Sequence, residues 1–561
     1  MLKDNLINEI NTAAAAYVAA GTVQPLHYRG WQAYRQSGDR LGYEREYFER
    51  RRQLAVLGLS QQLAPTPAKK ALLQEVLWAV CDEFAWGLPA HMPLTGPTYG
   101  AASATTIDLF AAETGEALAE IMHALGSTLD PEIQQRVAEQ IERRIFTPFE
   151  AHDWSWQHKS NNWSAVIGGS LGMTALYLMP KASARQQAFL QRLDTAFDTY
   201  LGSFGDDGAS VEGISYWAYG FGYYVYFAAL YQAVLGDDRY LKRPKVQAIA
   251  GFPARTQLAP DQFVPFSDYT PLTLPSGLLG YCRREFKVAT PPITAAAHLD
   301  DDTCYRFAQL SRDLAWTPDS ADAQPSLPAQ TSYFANVQWL VVRDPEQKLA
   351  FAGRGGRNDE SHNHLDVGNF VFGSDQTLFL TDVGGGEYTR DYFNDAKRYA
   401  YFVPSTQAHS VPLIDGVGQT PGAYEATAQQ KGTTLKLDLT ALYPQAPLSQ
   451  LTRRLSLDVQ ARRLTITDDA LFQAGRHTLT EQVITAVEPT LAGHTALLTS
   501  GGQTCVLDFG AAAPRVVPVS YRDHDGKPAQ AYRILADYDG ADKQTATITA
   551  TLKEAHHDDH A

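Results

Sequence analysis

The segment GRGGRNDESHNHLDVGNFVFGSDQTLFLTDVGGGEY, residues 353–388, concentrates the side chains best suited to chemistry. In a strand, alternate residues share a face. A strand here would set His362, His364 and Asp366 on one side and Asn363, Leu365 and Val367 on the other. The second set is mostly apolar and suits a core. The first is polar and titratable and suits the wall of a cleft. Asp382 follows the apolar run TLFLT and precedes Gly384-Gly385-Gly386, and His409 lies just ahead of another strand-like run. Two adjacent strands and a third could bring His364, Asp382 and His409 together as a ligand set for zinc or another divalent transition metal. The spacing matches no compact metal motif, so surface histidines beside an Asp turn are the better reading of the residues alone.

The elements that must hold these residues change period along the chain. Up to about residue 300, segments such as ALLQEVLWAVCDEF, IDLFAAETGEALAEIMHAL and ARQQAFLQRLDTAFDTYLGSF repeat apolar residues at helical spacing. They read as successive antiparallel helical hairpins, which can close into an α/α toroid. From about residue 331, SYFANVQWLVVRD, TLKLDLTAL, RRLTITDDAL and TATITATL are short, alternating and rich in β-branched residues. These read as an antiparallel β-sandwich. The expected organisation is a helical domain over 1–316, a Pro-, Ala- and Ser-rich linker over 317–331, a sandwich over 332–552 and a disordered tail over 553–561.

Bulk properties narrow the function. A chain of 561 residues exceeds what one core supports. The formal net charge of -15 argues against a nucleic-acid partner and demands a locally basic cleft if the substrate is a polyanion. The 28 Tyr, 24 Phe and 9 Trp fit either large cores or stacking surfaces for sugar rings. No apolar run is long enough for a membrane helix, and the first residues suit a helix better than a secretory signal. Cys81, Cys282, Cys304 and Cys505 form no CxxC pair and read as buried free thiols. A cytoplasmic location is expected, or a periplasmic or secreted one if a leader was removed.

HNHLDVGNF, TDVGGGEY and AHSVPLIDG resemble the β half of the heparinase II/III-like polysaccharide lyases. WGLPAH (86–91), IDLFAAETG (107–115), NNWSAVIGG (161–169) and DDGASVEGISYWAYG (206–220) resemble the helical half of the same family, in the same order. The resemblance implies a multidomain α+β fold: an incomplete α/α toroid followed by an antiparallel β-sandwich. It implies cleavage of uronic-acid glycans by β-elimination, glycosaminoglycans such as hyaluronan, chondroitin or heparan first and alginate-type polymers second. It implies one metal, zinc first and manganese second, on His364, Asp382 and His409. His362 and Tyr216 become the acid–base pair, and Asn162 neutralises the substrate carboxylate. Many relatives carry histidine where this chain has Asn161-Asn162, so Asn161 stays an alternative.

Supporting candidates are Glu212, which could orient a catalytic group or cap a helix, and Tyr219, the reserve for Tyr216. Trp86 and His91 suit cleft lining, although Trp86 suits a core equally. Arg354, Arg357, Arg390 and Arg398 could grip sulfate or carboxylate, although each taken singly reads better as a solvated surface charge. Three rival functions share some of these residues: a metal-dependent glycan hydrolase, a toroid glycoside hydrolase using Asp207 and Glu212, and a non-catalytic glycan-binding module.

Overall fold

The computed structural model describes residues 1–92, 101–322, 327–394 and 396–554. Its N-terminal part is helical and its C-terminal part is built of antiparallel sheets. Helix starts follow local chemistry. Thr66 and Asp108 accept hydrogen bonds from the Lys69 and Ala111 amides, and Pro67 occupies the first turn of its helix. The helix Asn162–Leu178 is apolar nearly all round and runs through the helical core. Glycine allows its neighbours in: a Cβ at Gly172 would lie 2.4 Å from the Phe227 ring. Among the described residues, no helix is long and apolar enough to cross a membrane.

The chain forms two compact units that interleave in sequence. The helical unit comprises Met1–Phe204, Tyr216–Gly251 and Leu272–Gln324. The β unit comprises Gly205–Ser215, Phe252–Pro271 and Pro325–Ala561. A single cut at 317–331 therefore does not describe the division, because two segments from the helical stretch of sequence pack with the sheets.

In the β unit, Gln330–Phe334, Trp339–Asp344, Leu349–Arg354, Phe370–Gly373 and Leu378–Leu380 form a five-stranded sheet in sequence order. A ten-stranded sheet is organised around the long strands Arg463–Thr485 and Pro528–Glu554, which pair antiparallel. Side chains of both sheets, among them Phe351, Phe372, Leu435, Leu455, Ile466 and Ile548, share one apolar core. The last strand reaches Glu554, so Lys553 and Glu554 are ordered sheet residues and not tail. The rest of the expected tail, 555–561, lies outside the described residues.

The expected histidine strand is a loop. Between Arg354 and Phe370 the backbone makes only an isolated bridge, Arg357 to Glu425. Gly356, His362 and Gly368 have φ of 93°, 57° and 97°, each outside the extended region that strand alternation requires. Arg354 Nη1 donates to Asp366 Oδ2 at 2.8 Å across the base of this loop, so Asp366 is a structural ion-pair partner.

Candidate active site

Three loops of the β unit converge. His364 comes from the loop just described, Asp382 follows the strand Leu378–Leu380, and His409 follows a short 3-10 turn, Thr406–Ala408. All three side chains are buried, and one ligand atom from each lies within 4.8 Å of the others. Such a group could hold a metal ion. His364 Nε2 faces Asp268 Oδ1 at 2.9 Å, whereas its buried Nδ1 has no protein partner. Burial holds the His364 imidazole below its ordinary pKa against the opposing pull of Asp268, which favours the neutral, ligating form. Burial also disfavours a charged His409, but the charge and hydrogen bond of Asp382 outweigh it and raise that pKa. A buried ring nitrogen without a protein partner, on a histidine grouped with a second imidazole and a carboxylate, fits a divalent transition metal.

The surroundings lock these groups. Asn369 Nδ2 donates to Asp382 Oδ2 at 2.7 Å, and its Oδ1 accepts from the Ser410 amide at 2.9 Å. The guanidinium of Arg453, fully buried on the strand Leu448–Asp458, donates to the carbonyls of Gly368 at 3.0 Å and Ser410 at 2.6 Å. Asp468 balances its charge at 2.5 Å, and Glu481, whose carboxyl burial and the Asp468 charge push well up, meets it at 3.0 Å.

His362 stands beside this group. Its Nδ1 faces Asp268 Oδ2 at 2.9 Å, with the Tyr388 hydroxyl 3.3 Å away, and its Nε2 lies 3.5 Å from Glu212 Oε1. The Ser361 hydroxyl donates to the same Glu212 oxygen at 3.2 Å. Glu212 therefore faces the histidine, in keeping with the orienting role.

Asp268 was invisible to the sequence reading and is the hub of the site. It lies in Phe252–Pro271, the second segment that the β unit borrows. Burial opposes its ionisation, but the bonds from His362 and His364 and the charge of Arg398 hold its carboxyl well below the usual range. The signal that could have found its segment is Gly384-Gly385-Gly386. Gly385 N donates to the Tyr269 carbonyl at 2.7 Å, and a Cβ at Gly384 would lie 2.5 Å from that oxygen.

Several arginine expectations change. Arg354 is not a solvated surface charge, since it is fully buried and pairs with Glu360 at 3.3 Å as well as with Asp366. Arg398 is buried too and binds the Asn363 and Tyr392 carbonyls as well as Asp268. Arg357 is exposed and paired with Asp359 at 2.8 Å. Arg390 is partly exposed, 3.9 Å from Asp391.

The helical unit holds the remaining candidates. Asn161 Oδ1 accepts from the Trp163 amide at 3.1 Å, so Asn161 is the cap of the helix and Asn162 its buried first residue. His91 bonds Asp108 at 2.8 Å, stacks on Phe110 and meets the Trp163 ring edge-on at 5.0 Å. Trp86 is core, 1% exposed, with its indole donating to the Val80 carbonyl. Tyr216 is half-buried at the end of the short helix Gly213–Tyr216 and leads into the π-helical turn Trp217–Phe221, a distortion frequent at functional sites. Tyr219 in that turn is committed elsewhere. Its hydroxyl donates to Glu113 at 2.5 Å, Arg306 lies over its ring, and burial with the nearby Glu113 charge raises its pKa far up. That removes the basis for Tyr219 as a reserve acid or base. Cys81, Cys282 and Cys505 are buried free thiols, and Cys304 is half-buried.

Residues 333–550 match the family model described as heparinase II/III-like, C-terminal. Among solved structures, a mutant of the heparan sulfate lyase HepC from Pedobacter heparinus superposes with a TM-score of 0.63 at 10% identity, covering 97% of this chain and 83% of that one. A heparinase III gives 0.62 at 12% identity, covering 99% and 86%. At such identities the likeness is one of fold, and it extends along both units. None of the curated proteins matches this sequence.

Proposed function

We propose that this protein is a polysaccharide lyase that cleaves uronic-acid glycans by β-elimination, with heparan-type glycosaminoglycans as the first substrate class. The observation that carries the reading is the placement of His362, between two carboxylates and beside a ready three-ligand group, in a domain of the heparinase II/III-like family. The heparan lyases of the same fold favour heparan-type glycans over alginate. In this reading the helical unit is an incomplete α/α toroid and the two sheets form a sandwich.

The reaction removes the proton on carbon 5 of a uronate and expels the oxygen on carbon 4. That proton is weakly acidic while the neighbouring carboxylate keeps its charge. Asn162 supplies an amide donor to the carboxylate and so stabilises the enolate-like state. His362 exchanges a proton through Nε2, the ring atom turned away from Asp268, with Glu212 beside it. Tyr216 takes the complementary proton transfer, serving as base or as acid to the leaving oxygen. A divalent ion on His364, Asp382 and His409, zinc first, would supply positive charge that fixes the three loops. His362 remains the group that meets substrate.

The test is to offer heparosan, heparan sulfate, chondroitin, hyaluronan and alginate and follow ultraviolet absorbance. Elimination leaves a conjugated unsaturated uronate, so absorbance and new reducing ends rise together. New reducing ends without absorbance would mean hydrolysis and end the lyase reading.

A further inference from the structure

The loop that carries both histidines has no ladder to hold it, and His362 sits in left-handed backbone. Something other than secondary structure must aim the two rings. Asp268 is placed to do so. Its Oδ2 receives His362 at 2.9 Å and Arg398 Nη2 at 3.3 Å. Its Oδ1 receives His364 at 2.9 Å and the Tyr392 hydroxyl at 2.5 Å. An ionised carboxylate only accepts hydrogen bonds, so each ring must present N–H to it. The two rings present different atoms. His362 offers Nδ1, which leaves Nε2 toward Glu212. His364 offers Nε2, which leaves Nδ1 buried without a protein partner on a ring that has a ligand atom within 4.8 Å of one from Asp382 and one from His409. Arg398 ties the arrangement together through the carbonyl of Asn363, the residue between the two histidines.

We propose that Asp268 is a positioning residue that sets, with its two oxygens, opposite tautomers of His362 and His364, so that the reactive ring and the ligating ring are aimed by one buried carboxylate. This deepens the lyase reading and rests on it for the role of His362. It depends only on the hydrogen bonds for the tautomers.

Asp268→Asn separates positioning from simple packing. The amide keeps the shape but has one accepting and one donating edge. Arg398 can face only the oxygen, which turns that edge to the His362 side. The NH2 edge then meets His364 Nε2 and Tyr392. Tyr392 can rotate its hydroxyl to accept, but His364 must move its hydrogen to Nδ1, the atom intended for the metal. The variant is therefore expected to keep the His362 tautomer and invert that of His364.

Three readouts decide the matter. In metal-free protein labelled with nitrogen-15 histidine, long-range correlations report the tautomer of each ring. The wild type should show Nδ1–H on His362 and Nε2–H on His364, and Asp268→Asn should invert only His364. Zinc titration should then weaken by roughly 10–100-fold, as for loss of a partner that orients a ligand. The fall in turnover on the best glycan should appear in kcat, with KM within about two-fold. Wild-type rings with the opposite tautomers would overturn the proposal, and that measurement stands even if the variant fails to fold. So would an Asp268→Asn protein with unchanged tautomers and zinc affinity. A protein inactive on every glycan yet showing the expected tautomers would sink the lyase reading and leave this assignment intact.

Discussion

His409 presents Nδ1 to Asp382 Oδ2 at 3.1 Å while its Nε2 faces the Val403 carbonyl at 3.0 Å. The carbonyl can only accept, so Nε2 carries a hydrogen. A neutral His409 would then turn a lone pair on the Asp382 carboxylate, which requires a proton or another cation between them. His364 brings a ligand atom within 4.8 Å of one on each of these two residues.

Metal removal should therefore loosen the β unit. Chelator-treated protein is expected to melt below the zinc-loaded form, and zinc at about a hundred times its Kd should restore about 2.7 kcal/mol. Differential scanning calorimetry with and without added zinc measures this. His409→Ala should abolish the zinc-dependent shift. A melting temperature indifferent to zinc in the wild type would count against the ligand group.

The two tyrosines should part company. Tyr216→Phe and His362→Ala are each expected to lower kcat by about 10²–10⁴-fold, the usual weight of a positioned acid or base. Tyr219→Phe should leave turnover nearly intact and cost about 1–3 kcal/mol of stability, because its hydroxyl serves Glu113. Steady-state absorbance assays on the three variants compare them directly. Full activity in Tyr216→Phe would remove that residue from the mechanism.

Arg453→Met tests the clamp beneath the ligand loops. It leaves Asp468 and Glu481 buried without their cation and the Gly368 and Ser410 carbonyls without their donor. A loss of about 3–5 kcal/mol is expected in urea unfolding, as for breaking a buried ion pair from one side. A loss below about 1 kcal/mol, the size of a surface pair, would contradict the clamp.

Asp313 provides a pH test in the helical unit. Burial pushes its carboxyl up to about 7, against the opposing bond from the Gly277 amide. The folded state thus holds the proton more tightly than the unfolded chain. Its contribution to stability is complete below the unfolded pKa and is lost as pH rises to about 7. Asp313→Asn removes that titration while keeping an oxygen for Gly277. The melting temperature of the variant relative to wild type should be higher at pH 8 than at pH 4. An equal difference at both pH values would show that Asp313 does not titrate across this window.

The sequence revealed some of these relationships and hid others for physical reasons. Helical spacing and strand alternation report burial along one element, so the change of period near residue 331 was readable. His364, Asp382 and His409 can be grouped from residue type, but only the motif resemblance favours them over surface histidines, because loops carry them and no period links them. Alternation in HNHLDV imitates a strand, whereas Gly355-Gly356 and Gly368 on either side break one. Asn161 could have been recognised as a cap from its place before a helix. Asp268 had no local pattern at all, since its partners lie more than ninety residues away in the chain.

The interleaving of Gly205–Ser215 and Phe252–Pro271 with the sheets has a consequence for modularity. The residues 333–550 that define the family domain contain neither Glu212 nor Asp268. A gene fusion or truncation at that boundary would carry all three candidate ligands and His362, yet leave behind the carboxylates that face His362. The β unit as it packs is thus larger than the stretch of sequence that matches the family model, and it is the packed unit that keeps His362 beside its carboxylates.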